Sequence, residues 1–292
     1  MPPIERILCP FDFSEFSERA YAYAQSLACH YKATLFLQHV IDSLVPYYPY
    51  FAFPEPYYET CRNLRAGAGR QLQEFAETHS QHLVQAQCNV DDGLPADLIL
   101  SFAEAQAVNL IVMGTHGIRG IDRAMLGSVT DKVLRRARCP VLAVRKPAHE
   151  IVTAANGSVG IHLQRIVYCT DFSDCSEKAI DHAISLAEEY KAELTLLHVL
   201  EGIAGSADIQ NEIAKAMESL EKRIPPGTSC AIKPVVLIGR PYQQIIGFAL
   251  ELPTDLIVMG VRGRNSLDLA VFGSTTERVV QLGPCPVLVV HT

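Results

Sequence analysis

Gly114, Gly117, Gly127 and Ser128 are spaced as glycine, two residues, glycine, nine residues, glycine, serine, and Gly260, Gly263, Gly273 and Ser274 repeat that spacing. Most of the residues between them differ; His116, for example, stands where the second stretch has Arg262. Glycine reaches positive φ and lets a ligand approach the backbone, which a side chain would block. A serine opening a helix adds a hydroxyl to free N–H groups and a dipole that favour an anion. Glycines, hydroxyl and helix N-terminus together describe a phosphate cradle. Turns after strands are often glycine-rich for purely local reasons. A mere turn tolerates other spacings, however, and this one occurs twice in one chain. Asp12 and Asp171, on the facing loops, are placed to accept hydrogen bonds from ribose hydroxyls.

Other chemistries find less footing. The chain has no G-x-x-x-x-G-K-[ST], no G-x-S-x-G and no H-E-x-x-H stretch. Its ten histidines and nine cysteines share no metal-ligand spacing. His39 and His198 each close a strand and read as histidines bonded to backbone. A net charge of -7 without any Lys/Arg run argues against nucleic acid. Unpaired cysteines, and the lack of an apolar run long enough for a signal peptide or a membrane span, lead us to expect a soluble cytoplasmic protein.

The elements that must position these residues are themselves repeated. "ILCPFDFSEFSERAYAYAQSLACHYKATLFLQHV" aligns with "IVYCTDFSDCSEKAIDHAISLAEEYKAELTLLHV", with Asp12 and Asp171 159 positions apart. From Gly93 and Gly239 onward the offset is 146, so the first copy carries 13 extra residues between His39 and Gly93. Each half alternates short apolar runs, such as "LIVMG" in both, with segments of helical periodicity. Asp12-Phe13-Ser14 and Asp171-Phe172-Ser173 supply N-caps, and Pro95 and Pro241 open helices. Alternation of this kind predicts an α/β fold of two tandem Rossmann-like, doubly wound domains, each with a five-stranded parallel sheet. We place the domains at 1–146 and 164–292, joined by a linker at 147–163 rich in Pro, Gly, Ser and Asn.

The extra residues of the first half include "VPYYPYFAFPEPYYE", which sets Tyr47, Tyr48, Tyr50, Phe51, Phe53, Tyr57 and Tyr58 among four prolines. It follows the second strand and so begins on the ligand edge. A rigid loop burying its own rings and a flap or docking surface are both open readings.

With "DFS" after strand one, "HV" closing strand two, "GxP" before helix three, "NLIVMG" or "DLIVMG", the glycine–serine spacing and "CPVL", both halves resemble universal stress protein domains. The glycine spacing resembles that of the family's ATP-binding branch. The resemblance implies a base and ribose site at Pro10, Phe11, Asp12 and Val40, with Met113, Gly114, His116, Gly117, Gly127, Ser128, Val129 and Thr130 about the phosphates. In the second half it implies Thr170, Asp171 and Val199, with Met259, Gly260, Arg262, Gly263, Gly273, Ser274, Thr275 and Thr276. It further implies ATP, ADP or AMP as ligand, Mg²⁺ beside it, an unknown protein partner, and pairing through the fifth strand. In a tandem chain that pairing can be internal, "PVLAVR" against "PVLVVH", and a homodimer of whole chains is also open. The expected role is that of a nucleotide-binding regulator. Slow ATP hydrolysis or autophosphorylation, and a nucleotide-free scaffold, are the alternatives.

Overall fold

The structure is a computed structural model that describes residues 3–42, 55–79, 84–117, 125–145, 152–155, 158–202, 208–263 and 272–291. The first half runs β1 (Arg6–Pro10), α1 (Glu15–Tyr31), β2 (Thr34–Asp42), α2 (Glu55–His79), β3 (Gln87–Gly93), α3 (Pro95–Ala105), β4 (Leu110–Gly114), α4 (Ser128–Arg136) and β5 (Val141–Val144). A hairpin of β6 (Val152–Ala155) and β7 (Ser158–Ile161) follows. The second half runs β8 (Arg165–Thr170), α5 (Asp174–Tyr190), β9 (Glu193–Leu200), α6 (Ile209–Glu221), β10 (Ile232–Ile238), α7 (Pro241–Glu251), β11 (Leu256–Gly260), α8 (Ser274–Leu282) and β12 (Val287–Val290).

Strands form where the apolar runs are. Every residue of β4 and of β11 is buried, which only a strand covered on both faces allows. Burying a Leu, Ile or Val side chain contributes about 1.5–3 kcal/mol, enough to offset the roughly 1–2 kcal/mol of backbone entropy lost per ordered residue. One face of the sheet is covered by α1, α2, α5 and α6 over Leu35, Leu110, Tyr168 and Leu194. The other is covered by α3, α4, α7 and α8 over Ile111, Val141, Ile257 and Val287. Alanines at 20, 24, 28, 179, 183 and 187 let α1 and α5 lie close on the strands. Ser14 and Ser173 cap these two helices, and Lys32 and Lys191 end them in the left-handed conformation.

Each half has the strand order of a doubly wound fold, with β1 between β2 and β4, and β8 between β9 and β11. All pairings within a half are parallel. The two fifth strands then pair antiparallel, Leu142 opposite Leu288, and fuse the halves into one ten-stranded sheet with β3 and β10 at its edges. Contacts off the sheet reinforce the join. Glu189 accepts from Tyr31 Oη at 2.7 Å and faces His30 Nε2 at 2.7 Å. Arg135 of α4 lies 3.6 Å from Glu277 of α8 and 5.3 Å from the centre of the Phe272 ring. His291 Nε2 donates to the Leu134 carbonyl at 2.8 Å.

The stretch placed as the linker contains the β6–β7 hairpin, with Ala155 opposite Ser158, and β7 lies against α1. Asn156-Gly157 between its strands is a strong hairpin dipeptide in the sequence. The long helix of the first half begins at Glu55, inside the aromatic insert. The rest of that insert, with the side chains of Tyr57 and Tyr58, lies outside the described residues. Among the described residues, no helix is long and apolar enough to cross a membrane.

Candidate functional site

The strand order reverses between β1 and β4, and between β8 and β11, and ligands of open α/β sheets bind at such switch points, outside the strands' carboxyl ends. Asp12 leaves β1 there. Its Oδ1 accepts from the Ser14 amide at 3.1 Å and from the Ser14 hydroxyl at 2.6 Å, and Asp171 does the same with Ser173 at 3.1 and 2.6 Å. Next to each aspartate, Phe13 and Phe172 both take φ of 62°. Such a conformation costs a bulky residue about 1–3 kcal/mol and persists only where its surroundings hold it.

The surroundings are visible in both copies. The Phe13 ring sits 5.1 Å from that of Phe11 and 4.9 Å from His39. Phe172 stacks on His198 at 4.3 Å, with the Arg223 guanidinium 4.5 Å from the centre of the Phe172 ring. His39 Nδ1 lies 2.8 Å from the Phe11 carbonyl, and His198 Nδ1 2.8 Å from that of Thr170. A carbonyl only accepts, so Nδ1 carries the proton in both. The two strand-end histidines therefore anchor the loop that aims each aspartate.

The glycines are not kept for the positive φ expected of them. None of the six has positive φ. A Cβ on Gly114 would stand 2.8–2.9 Å from Phe16, and one on Gly260 2.8 Å from the Cys175 backbone, so these two let a strand end meet the first turn of α1 or α5. A Cβ on Gly117 would stand 2.5 Å from Asp12 Oδ2, and Gly263 and Asp171 make the same approach. Gly127 and Gly273 pass 3.2 and 3.3 Å, on the same measure, from the Thr115 and Val261 carbonyls. Close packing, rather than left-handed backbone, explains the repeated spacing.

That packing closes a cleft of about 680 Å³ in the first half. Its walls include all the first-half residues singled out from the sequence: Pro10, Phe11, Asp12, Val40, Met113, Gly114, His116, Gly117, Gly127, Ser128, Val129 and Thr130. Gly127 is the N-cap of α4, and Ser128 opens the helix with its side chain exposed. The first amides of a helix have no partner within it and face outward toward an anion. The Thr130 hydroxyl, in contrast, is buried and donates to the Gly114 carbonyl at 2.8 Å. In the second half, Thr170, Asp171, Val199, Met259, Gly260, Arg262, Gly263, Gly273, Ser274, Thr275 and Thr276 take the corresponding places about β8, β9, β11 and α8. Thr276 is likewise buried and donates to Gly260 at 3.0 Å.

The halves differ in detail. His116 is buried, with Nδ1 2.9 Å from Thr115 Oγ1 and its ring 5.0 Å from Phe16, whereas Arg262 is half-exposed. Phe11 packs into the aromatic cluster of Tyr21 and Phe75, while Thr170 Oγ1 accepts from the Phe172 amide at 2.9 Å. Gln38 also lines the first cleft and was not singled out from the sequence. It is 1 % exposed, and its Nε2 donates to Asp91 Oδ2 at 2.8 Å. A glutamine inside the apolar run "LFLQHV" was its signal.

Burial pushes the Cys9 and Cys169 thiols up, with Asp12 adding to the effect at Cys9, so both remain protonated and unreactive. Among the described residues, no group of three or more His, Cys, Asp or Glu is placed to hold a metal ion.

Comparison with known proteins agrees with this fold. The model of the universal stress protein family matches residues 3–145 and 162–291. A universal stress protein of Methanocaldococcus jannaschii is 33% identical over 148 residues, covering 50% of this chain and 85% of that one. One from Mycobacterium tuberculosis is 24% identical over 291 residues, covering 95% of this chain and 94% of its own. The crystal structure of a universal stress protein from Archaeoglobus fulgidus superimposes with a TM-score of 0.70 at 22% identity, over 100% of this chain and 99% of that one.

Proposed function

The chain belongs to the universal stress protein family, and on that premise we propose that it binds an adenine nucleotide, ATP foremost, and acts as a regulator in the stress response. One observation carries the reading: Asp12, the glycine loop and the N-terminus of α4 converge on a single cleft at the switch point of the sheet. A carboxylate held by Ser14 suits ribose hydroxyls, and the exposed Ser128 with the first amides of α4 suits phosphates. Gly117 has no side chain, so the Asp12 carboxylate lies directly against the glycine loop. Mg²⁺ would be carried chiefly by phosphate oxygens and water, as is usual for this ion.

Binding is favoured over turnover. Of the hydroxyls that autophosphorylation could use, those of Thr130 and Thr276 are buried and already donate to carbonyls, Thr275 is half-buried, and those of Ser128 and Ser274 are exposed. The bound nucleotide would instead alter the conformation or the partner choice of the fused sheet.

Native mass spectrometry of the purified chain, then calorimetric titration of the stripped chain with ATP, tests the reading. Two nucleotides per chain would make both halves working sites, and one would assign binding to a single half. A chain that carries none and gives no heat with ATP would refute the proposal.

A further inference from the structure

Gln38 is where the two copies of the fold part company in a way the fold does not require. Its counterpart is Leu197, and both are 1 % exposed. Asp91, which sits opposite Val40 across the β2–β3 ladder, is replaced by Leu237, opposite Val199 across β9–β10. The second half thus packs two leucines where the first buries an amide against a carboxylate. Removing polar groups from water is unfavourable unless they gain partners. Since leucines fill the same positions in the other copy, packing alone does not account for the polar pair.

The pair also has a fixed polarity. Gln38 Nε2 donates to Asp91 Oδ2 at 2.8 Å and lies 3.5 Å from the Leu98 carbonyl. Asp91 is held in turn by the Asn89 amide and by Arg65, whose guanidinium is 3.9 Å away. A carboxylate beside an arginine offers lone pairs only, so the glutamine amide cannot turn over. Among the described residues its carbonyl oxygen, Oε1, has no hydrogen-bond partner, and it is kept from water. The side chain borders the same cleft as Asp12 and Val40, on the face of β2 that Val40 shares.

On the nucleotide reading above, we infer that Gln38, locked by Asp91, makes the first-half cleft select purines bearing a 6-amino group over purines bearing a 6-oxo group. An amino group donates to the waiting Oε1. An oxo group sets one acceptor against another, and the lock prevents the amide from rotating to accommodate it. Leu197 and Leu237 confer no such choice on the second half.

The test is calorimetric titration of the full chain with ATP and with inosine triphosphate, which keeps the ribose and phosphates. A site in the wild type should prefer ATP by about tenfold or more, since a site built around one hydrogen bond leaves a buried group unpaired with the wrong ligand. Gln38→Leu should abolish that preference. Asp91→Asn, which lets the amide turn, should raise affinity for inosine triphosphate while ATP still binds. Equal binding of both nucleotides by the wild type, or an unchanged preference in both variants, would overturn the selectivity and leave nucleotide binding intact. Absence of any binding would bring down both proposals together. Should Gln38→Leu fail to fold by circular dichroism, Asp91→Asn decides alone.

Discussion

A Cβ added to Gly117 would lie 2.5 Å from Oδ2 of Asp12, so the glycine loop and the aspartate loop touch where no side chain fits between them. Gly117→Ala must push the Asp12 carboxylate aside. The displaced group is the end of a side chain, so stability should change by less than about 1 kcal/mol. Nucleotide affinity should fall about tenfold or more, read by calorimetry. An unaltered affinity would separate Asp12 from the ligand.

Gly114→Ala and Gly260→Ala should behave in the opposite manner. Their added Cβ atoms meet backbone of α1 and α5 at 2.8–2.9 Å, and helix backbone cannot swing away. Overpacking of this kind costs about 1–3 kcal/mol. Urea unfolding measures it directly, as a lower midpoint at unchanged slope.

Arg135 reaches across the join to Glu277 and also binds Asp131 on its own helix. The second half carries Gln281 at the matching position. All three charged groups are about one-third exposed, so Arg135→Gln should lower stability by only about 1 kcal/mol or less. Because Phe272 beneath the guanidinium precedes Gly273, the same variant should weaken nucleotide binding in the second half more than in the first. Equal losses in both halves would contradict this.

Burial pushes the His291 imidazole below its ordinary value of 6.5, with the charge of Arg262 acting in the same direction against the bond to Leu134. His182 is lowered as well, again chiefly by burial. The unfolded chain therefore binds more protons than the folded one just below pH 6.5. Stability should be fully present above that pH and decline as the pH falls toward the folded-state pKa, by at most about 1.4 kcal/mol per unit for each group. Unfolding free energies measured on either side of this window should show a shallower decline in His291→Gln. Identical slopes would rule the residue out.

Much of this was legible in the chain itself because the physics is local. Continuous apolar runs such as "LIVMG" allow little besides doubly covered strands, and Ser14 and Ser173 announce their helices. The meaning of the glycines was not legible. The same residue type serves positive φ and close approach, and only the neighbour across space, Phe16 or Asp12, distinguishes them. Gln38 and Asp91 lie 53 positions apart, so their bond is invisible in sequence, although the substitution of both by leucine in the second copy was there to be seen. The left-handed Phe13 and Phe172 follow from contacts made by the ends of β2 and β9, which no local pattern encodes.

The antiparallel junction of β5 with β12 has a consequence for how such a molecule can change over generations. In a pair of separate identical chains, every mutation near the axis arrives twice, and two sites remain copies of one another. A single polypeptide escapes that restriction, and its assembly is also indifferent to dilution because the halves are tethered. Arg135 against Gln281, and Gln38 against Leu197, are differences that only a tethered pair can accumulate. One half is free to acquire a new preference while its twin keeps the old one.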